Sequence, residues 1–340
     1  MTSREPFAIG DTEVKPGRSA QVELPVSRLI TGAPISMPVT VMHGKFDGPT
    51  MWINAAVHGD ELNGVEVVNR ILADLDPKQM NGTLLAVPVV NVHGFMTGDR
   101  YLPDRRDLNR SFPGSAKGSL ASRLAHIFMT EIVNRCEIGI DLHTASDNRT
   151  NLPQIRADLD DLKTRELAEV FGVPLMMHSK AGAGTLRRAA AKSGSTILLY
   201  EAGEPLRFNK PAISNGVDGV RRVLRHLEIA DWEGPARSTT EVSRSSRWMR
   251  AAQSGVLRLD VDLGDVVEER QVLGTIIDAF GKRLSTVRST RAGLVIGRTL
   301  YPLSNKVTPL CTSQASIPRM RVRSRFCGKT SASRSMSGRA

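Results

Sequence analysis

The sequence predicts an α/β fold, in which helices flank both faces of a central sheet, followed by a smaller C-terminal β domain. From residue 49 to residue 230, short apolar runs alternate with segments of helical periodicity, which is typical of buried strands covered by helices. After residue 246, short alternating segments are separated by glycine turns, as in antiparallel sheets. At 340 residues the chain is long enough for two such domains.

The predicted elements follow in chain order. Alternating segments in residues 1–48 predict strands that lead into the sheet. Within residues 49–230 we predict strands near 51–57, 82–90, 138–143, 173–177 and 195–200, and helices after residue 61 and over 120–135, 161–171, 184–192 and 209–228. Ser119 is predicted to cap the helix that follows it. The residues from 144 to 153 are polar and are predicted to form a loop.

Composition changes beyond residue 230. Residues 231–246 are rich in Ser, Thr and Arg and predict a linker. Residues 247–311 predict the β domain, which resembles half of a lipoyl-type sandwich but lacks a lysine at a hairpin tip. Residues 312–340 are basic and have no apolar periodicity, so we predict a disordered tail that contributes nothing to any activity.

Positive charge is concentrated at the C-terminal end. The net charge is +11, and residues 305–340 contain eight Lys or Arg and no Asp or Glu, which leaves +3 for residues 1–304. A basic tail is weaker evidence for nucleic-acid binding than a basic face of a folded domain. The charge distribution therefore does not favour nucleic acid as a partner, and binding through the tail is kept only as an alternative function.

Membrane and secretory classes are not favoured. No apolar stretch approaches the ~20 residues of a membrane span, and the first residues lack the apolar core of a signal peptide. The three cysteines, Cys136, Cys311 and Cys327, form neither a pair pattern nor a metal knuckle. We therefore expect a protein of the reducing cytoplasm with no membrane partner.

A histidine and a carboxylate occupy the turn between the first central strand and its helix. His58 and Glu61 follow the apolar run 51–57, and a second apolar run, 138–143, ends in His143. Ligands bind at the carboxyl ends of strands in open α/β sheets, and two imidazoles with one carboxylate suit a catalytic zinc ion. The alternative is a helix-capping acid with two unrelated histidines.

Two further groups lie at strand ends or in the long polar loop 97–119. Glu201 directly follows the apolar run 195–200, where it can accept a proton from water; alternatively it is a strand-end acid paired with an arginine. Asn109 and Arg110 offer several donors to a carboxylate. The alternative for this pair is a solvated basic loop, since Arg100, Arg105 and Arg106 are nearby.

Four motifs in this order resemble those of the succinylglutamate desuccinylase/aspartoacylase family, which belongs to the zinc carboxypeptidase superfamily. They are His58-Gly59-Asp60-Glu61, Asp107-Leu108-Asn109-Arg110, Asp141-Leu142-His143 and Glu201-Ala202-Gly203. The resemblance covers roughly residues 30–230. It implies a zinc carboxypeptidase-like fold with a mixed central sheet, followed by the β domain.

The resemblance also implies roles for individual residues. His58, Glu61 and His143 would hold one Zn²⁺ per chain, Glu201 would be the general base and acid, and Asn109 and Arg110 would bind the free carboxylate of a small substrate. Arg100 would steady the carbonyl oxygen, with Arg106 as a rival for that role. Arg187 resembles a further substrate-binding arginine.

The expected function is zinc-dependent hydrolysis of the amide bond of an N-acyl amino acid or a similar small compound. A metallocarboxypeptidase acting on short peptides is the alternative among enzymes. A noncatalytic metal-binding module is disfavoured by the presence of Glu201. The identity of the acyl group and the oligomeric state are left open.

Overall fold

The computed structural model describes residues 4–235 and 240–314. Its strands are β1 (Phe7–Ile9), β2 (Thr12–Val14), β3 (Arg18–Arg28), β4 (Pro34–His43), β5 (Phe46–Ala55), β6 (Asn81–Val87), β7 (Ile138–His143), β8 (Arg149–Ala157), β9 (Leu175–His178), β10 (Thr196–Gly203), β11 (Glu241–Ser243), β12 (Ser246–Arg250), β13 (Gly255–Leu259), β14 (Val266–Val267), β15 (Val272–Ile277), β16 (Arg283–Arg288), β17 (Gly293–Thr299), β18 (Leu303–Ser304) and β19 (Pro309–Gln314). Its α-helices are α1 (Asn63–Asp74), α2 (Val92–Thr97), α3 (Leu120–Glu131), α4 (Leu162–Phe171), α5 (Leu186–Lys192) and α6 (Lys210–His226). Short 3₁₀ helices span Leu108–Arg110 and Val133–Arg135.

A thirteen-stranded mixed sheet forms the centre of the described chain. Its main path runs β12-β19-β17-β8-β10-β7-β5-β6-β4-β3, with β9, β11 and β14 paired to its side. Strands β6, β5, β7 and β10 are parallel neighbours, whereas β4 and β8 join them antiparallel. The predicted mixed central sheet is therefore confirmed.

Helices cover both faces of this sheet, as predicted. Helices α1, α4 and α6 pack on one face through an apolar cluster that includes Val67, Leu167 and Val220. Helices α3 and α5 pack on the other face with Leu124 and Leu186. Ser119 caps α3 by accepting a hydrogen bond from the backbone N–H of Ser122, which confirms its predicted role. No described helix is long and apolar enough to cross a membrane.

The C-terminal region shares the central sheet. Strands β13, β15, β16 and β18 form a separate antiparallel sheet, but β12, β17 and β19 extend the central one through the antiparallel pairing of β17 with β8. The predicted linker contains β11, which pairs with β9. The C-terminal strands therefore reach the same sheet that carries the candidate site.

Two predictions about local structure are wrong. Residues 149–153 belong to β8 rather than to a polar loop, because β8 lies between β10 and β17 and exchanges ladder hydrogen bonds with both. Residues 312–314 belong to β19 rather than to the tail, since β19 pairs with β12 and β17 and Thr312 is buried. The rest of the predicted disordered tail, residues 315–340, lies outside the described residues.

Candidate active site

The three predicted metal ligands meet at the carboxyl ends of two adjacent parallel strands. His58 and Glu61 lie in the turn after β5, and His143 is the last residue of β7. Nδ1 of His58 lies 2.8 Å from Oε1 of Glu61, and Nδ1 of His143 lies 2.8 Å from Oε2 of the same carboxylate. The backbone N–H of Thr144 also donates to Oε2, at 3.0 Å. The side chains of His58, Glu61 and His143 are all buried.

This donor set fits a zinc ion. One potential ligand atom from each of His58, Glu61 and His143 lies within 4.8 Å of the others, and two imidazoles with a carboxylate form a known type of catalytic zinc site. A second group in the described chain, Asp158, Asp160 and His178, is more exposed, and its Asp160 carboxylate is paired with Arg244 at 2.9 Å. The buried group is therefore the better candidate metal centre.

A carboxylate contacts the second ring nitrogen, Nε2, of each of the two histidines. Nε2 of His58 lies 3.1 Å from Oδ1 of Asp107. Nε2 of His143 lies 3.0 Å from Oδ2 of Asp141, within the range of an ion pair. Carboxylates in these positions orient ligating histidines and raise their basicity.

A buried chain of hydrogen bonds supports the second of these carboxylates. The amide of Asn54 donates to Oδ1 of Asp141 at 2.7 Å, and the indole N–H of Trp52 donates to the side-chain oxygen of Asn54 at 2.9 Å. All three side chains are buried. Gly139 pairs with Trp52 across the strands, and a Cβ at residue 139 would overlap the indole ring. The glycine therefore makes room for Trp52.

The electrostatics of the ligand cluster follow from burial and close charges. Burial lowers the pKa of His58, but the charge of Glu61 and the hydrogen bond with Asp107 outweigh burial and raise that pKa above its ordinary value. Burial likewise lowers the pKa of His143, but Asp141 and Glu61 raise it well above the ordinary value. Burial raises the pKa of Glu61, and the two imidazoles reverse this and hold it far below its usual range.

Glu201 lies in β10, next to the ligand cluster. Its Cα pairs with that of His143 on the neighbouring strand. Its Oε2 accepts a hydrogen bond from the amide of Asn151 at 2.8 Å and lies 3.2 Å from a guanidinium nitrogen of Arg156. Glu201 is thus paired with an arginine, and it also lines the cavity beside the ligands. Glu204 instead accepts hydrogen bonds from Thr150 and Asn209.

Arg100 and Arg106, the two candidates for contacting the carbonyl oxygen of the substrate, lie in different places. Arg100 lines the cavity and contacts Oε1 of Glu61 at 3.2 Å and Oδ2 of Asp107 at 3.1 Å. Burial lowers the pKa of Arg100, but Glu61 and Asp107 raise it above its ordinary value, so the guanidinium is firmly charged. Arg106 is exposed and lies away from the cavity lining.

The predicted substrate-binding residues line the same cavity. The side-chain oxygen of Asn109 accepts a hydrogen bond from the backbone N–H of Leu186, and Arg110 donates to the carbonyl oxygen of Asn109 at 2.6 Å. Arg187 donates to the carbonyl oxygen of Ser179 at 2.8 Å. The cavity volume is about 310 Å³, and its walls include His58, Glu61, Arg100, Asn109, Arg110, His143, Arg149, Asn151, Arg156, Arg187, Glu201 and Trp248.

Several cavity residues were missed from the sequence. Arg149, Asn151 and Arg156 come from β8, which was predicted in part as a loop, and Trp248 comes from β12 in the C-terminal region. No local pattern marks these residues. Asn54 could have been found, because it is the one polar residue in the apolar run 51–57.

Known proteins resemble this chain in sequence and in fold. The sequence model of the succinylglutamate desuccinylase/aspartoacylase catalytic domain matches residues 47–227. An N-alpha-acetyl-L-2,4-diaminobutyric acid deacetylase from Halomonas elongata is 26% identical over 284 residues, which is 79% of this chain and 82% of that protein. A succinylglutamate desuccinylase from Yersinia pseudotuberculosis is 26% identical over 204 residues, which is 55% of this chain and 60% of that protein.

Solved structures show the same fold. The product-bound structure of the ectoine utilization protein EutE (DoeB) from Ruegeria pomeroyi superposes with a TM-score of 0.80 at 22% identity, covering 92% of this chain and 99% of that chain. A succinylglutamate desuccinylase/aspartoacylase from Rhodobacter sphaeroides gives a TM-score of 0.78 at 24% identity, covering 88% and 96% of the two chains.

Proposed function

The chain belongs to the succinylglutamate desuccinylase/aspartoacylase family, and from this premise we propose that it is a zinc-dependent deacylase that hydrolyses the amide bond of a small N-acyl amino acid. The family supports a deacylase acting on small N-acylated amino acids, as the names of both curated relatives indicate. The finer proposal concerns zinc and the roles of individual residues.

One observation carries the proposal. Glu201 is paired in register with His143, so a carboxylate that is not part of the ligand set lies beside a buried His/Glu/His cluster in one cavity. A metal site for hydrolysis needs protein ligands on one side and a separate proton acceptor within reach of water. The cavity contains side chains suited to both roles, which supports the proposal.

The chain's own residues divide the work. Zinc held by His58, Glu61 and His143 would polarise the scissile carbonyl and make water more acidic. Glu201 accepts a proton from the water that attacks the acyl carbon, and it returns that proton to the amine nitrogen as the amide bond breaks. Arg100 places a fixed positive charge at the cavity wall, which stabilises the negative charge that develops on the acyl oxygen.

Substrate orientation comes from other donors that line the same cavity. Asn109 and Arg110 are adjacent residues of a 3₁₀ helix, and Arg187 is the second residue of α5. Guanidinium groups bind carboxylates through paired hydrogen bonds. We propose that these residues bind the free carboxylate of the amino acid and so present its acyl group to Glu201.

Metal analysis combined with a substrate panel tests the proposal. The purified protein is assayed for bound zinc and for release of free amine from N-acetyl-L-2,4-diaminobutyrate, N-succinyl-L-glutamate and N-acetyl-L-aspartate. A dipeptide with a free C-terminus serves as the comparison for carboxypeptidase activity. We expect about one zinc ion per chain and amine release from at least one N-acyl amino acid. Turnover of the dipeptide alone would contradict the proposal.

A further inference from the structure

The carboxylate of Glu201 is held by two donors from one neighbouring strand. The side-chain amide of Asn151 and the guanidinium of Arg156 both come from β8, and both contact the same oxygen, Oε2, at 2.8 Å and 3.2 Å. Holding one oxygen of a carboxylate in this way limits its rotation. The other oxygen, Oε1, is then placed in a defined direction.

The position of Asn151 in turn depends on β17, which pairs with β8 on the side away from β10. Its Cα pairs with that of Gly203 in β10 and with that of Gly297 in β17. Gly297 also pairs with Thr312 in β19. The glycine in β17 therefore stands directly beside the residue that holds Glu201, although β17 belongs to the C-terminal region and does not contact Glu201 through its own ladder.

A side chain at residue 297 would disturb this arrangement. A Cβ built on Gly297 would lie 3.0 Å from the side-chain oxygen of Asn151, closer than nearly all real Cβ contacts. It would also lie in ordinary van der Waals contact, at 3.6 Å, with Cγ2 of Thr312 and with the indole ring of Trp248. The side chain of Asn151 would therefore have to shift by a few tenths of an ångström.

We propose that Gly297 and Asn151 are positioning residues for Glu201, so that the C-terminal strand β17 controls the orientation of the group that moves the proton. The proposal rests on the role of Glu201 in the proposed function. Asn151 and Arg156 hold Oε2, which leaves Oε1 as the oxygen that accepts the proton from water. Gly297 acts only through Asn151, by leaving space for its amide.

Such a role affects the rate of chemistry more than substrate binding. A misplacement of about 1 Å of a group in a reacting constellation can lower the rate by about 10²-fold. The metal ligands and the donors proposed for the substrate carboxylate lie on other elements, so zinc content and KM should change little. A lower kcat at constant KM and constant zinc content is therefore the expected result.

A double-mutant cycle tests the coupling. Asn151→Ala, Gly297→Ala, the double variant, and the control Thr299→Ala in the same strand are compared for kcat, KM and zinc content with N-acetyl-L-2,4-diaminobutyrate. We expect Asn151→Ala to lower kcat by about 10- to 100-fold. Gly297→Ala should lower kcat by less, because its Cβ displaces Asn151 by only a few tenths of an ångström. The Gly297→Ala change should cost almost nothing when Asn151 is already Ala. Additive losses in the double variant, or a change in KM alone, would overturn the proposal.

A second measurement does not depend on turnover. The side-chain amide resonances of Asn151 are identified by NMR from their loss in Asn151→Ala, and they are then followed in Glu201→Gln and Gly297→Ala. We expect both changes to shift these resonances, while Thr299→Ala leaves them in place. Unshifted resonances in Glu201→Gln would overturn the contact even in a protein that does not cleave the chosen substrate.

The two proposals fail in different ways. If Glu201→Gln retains full kcat, the proposed role of Glu201 is wrong. If Glu201→Gln loses activity but Asn151→Ala and Gly297→Ala retain it, Glu201 keeps its role and only the positioning proposal is wrong.

Discussion

Nδ1 of His143 lies 2.8 Å from Oε2 of Glu61, although 82 positions separate these residues in the chain. The contact exists because β5 and β7 are adjacent and parallel, so their carboxyl ends meet at one edge of the sheet. Both oxygens of Glu61 are used, one by each histidine. Loss of any one of these three side chains should therefore disturb the other two.

Zinc binding should depend on both buried histidines of the cluster. His58→Ala and His143→Ala should each remove most bound zinc, because either change leaves only two protein ligands. His93→Ala is the matched control, since His93 contacts Ser27 instead of the ligand cluster. Metal analysis of the three purified variants checks this. Full zinc content in His58→Ala would exclude the assigned site.

Glu201 should be needed for chemistry and dispensable for binding. Glu201→Gln should keep zinc and a similar KM, because the amide oxygen can still accept the hydrogen bond from Asn151. It should lower kcat by about 10²- to 10⁴-fold, since an amide cannot accept the proton from water. Steady-state kinetics with the substrate found in the panel provides the measurement.

The control for this change is three residues further on. Glu204→Gln makes the same chemical substitution in a carboxylate that accepts hydrogen bonds from Thr150 and Asn209. It should retain most of kcat. Equal losses of kcat in the two variants would indicate that any change near the end of β10 lowers kcat, and that the Glu201 carboxylate has no special role.

The central part of the site could be predicted because the strands that carry it are buried on both faces. Every residue of β7 is buried, so it appears in the sequence as an apolar run with a polar end. Strand β8 has two unlike faces: Ile155 packs in the core, whereas Asn151 and Arg156 contact Glu201. The residues that support the proposed chemistry therefore make β8 resemble a loop.

Contacts between distant strands could not be predicted. The pairing of Gly297 with Asn151 joins residues from regions that the sequence separates by a linker. A tight turn between two strands fixes their register, but β8 and β17 are far apart in the chain and no such turn joins them. The orientation of the Glu201 side chain therefore could not be predicted from the sequence. Its position at the end of a strand could be predicted.

Asn54 should be needed for tight metal binding although it is not a ligand. Asn54→Ala removes the donor to Asp141 and leaves the buried indole N–H of Trp52 without its acceptor. Loss of such an outer partner should weaken zinc affinity by about 10- to 100-fold. Competition with a chromogenic chelator measures the affinity. Asn215→Ala, on the exposed side of α6, is the control, and equal affinities in both variants would contradict this role.

The metal-free protein should lose stability as the pH rises above neutrality. The pKa values of His58 and His143 are raised, so their contribution is fully present below the unfolded value of 6.5 and is lost as the pH rises through the raised values. The pKa of Glu61 is lowered, so its contribution is present above the unfolded value of 4.5. The cluster should therefore stabilise the metal-free protein most between these two values.

Urea unfolding in the presence of a chelator tests this pH dependence. The free energy of unfolding is measured between about pH 5 and pH 9 for the native sequence and for His143→Gln. The difference between the two proteins should shrink as the pH rises, because the variant lacks one titrating imidazole. A difference that stays constant over the whole range would show that the charged cluster does not contribute.

The end of β19 should separate two truncations that differ by three residues. A chain that ends at Gln314 keeps β19 complete and should retain kcat, while losing salt-sensitive binding to heparin with the basic residues beyond it.

A chain that ends at Cys311 loses Thr312, whose Cα pairs with Trp248 and Gly297. Each lost ladder hydrogen bond removes about 1 kcal/mol, and Gly297, which pairs with Asn151, loses its partner in β19. This shorter chain should melt at a lower temperature and have a lower kcat at unchanged zinc content. Equal melting temperatures and equal kcat for the two truncations would show that β19 does not support the site.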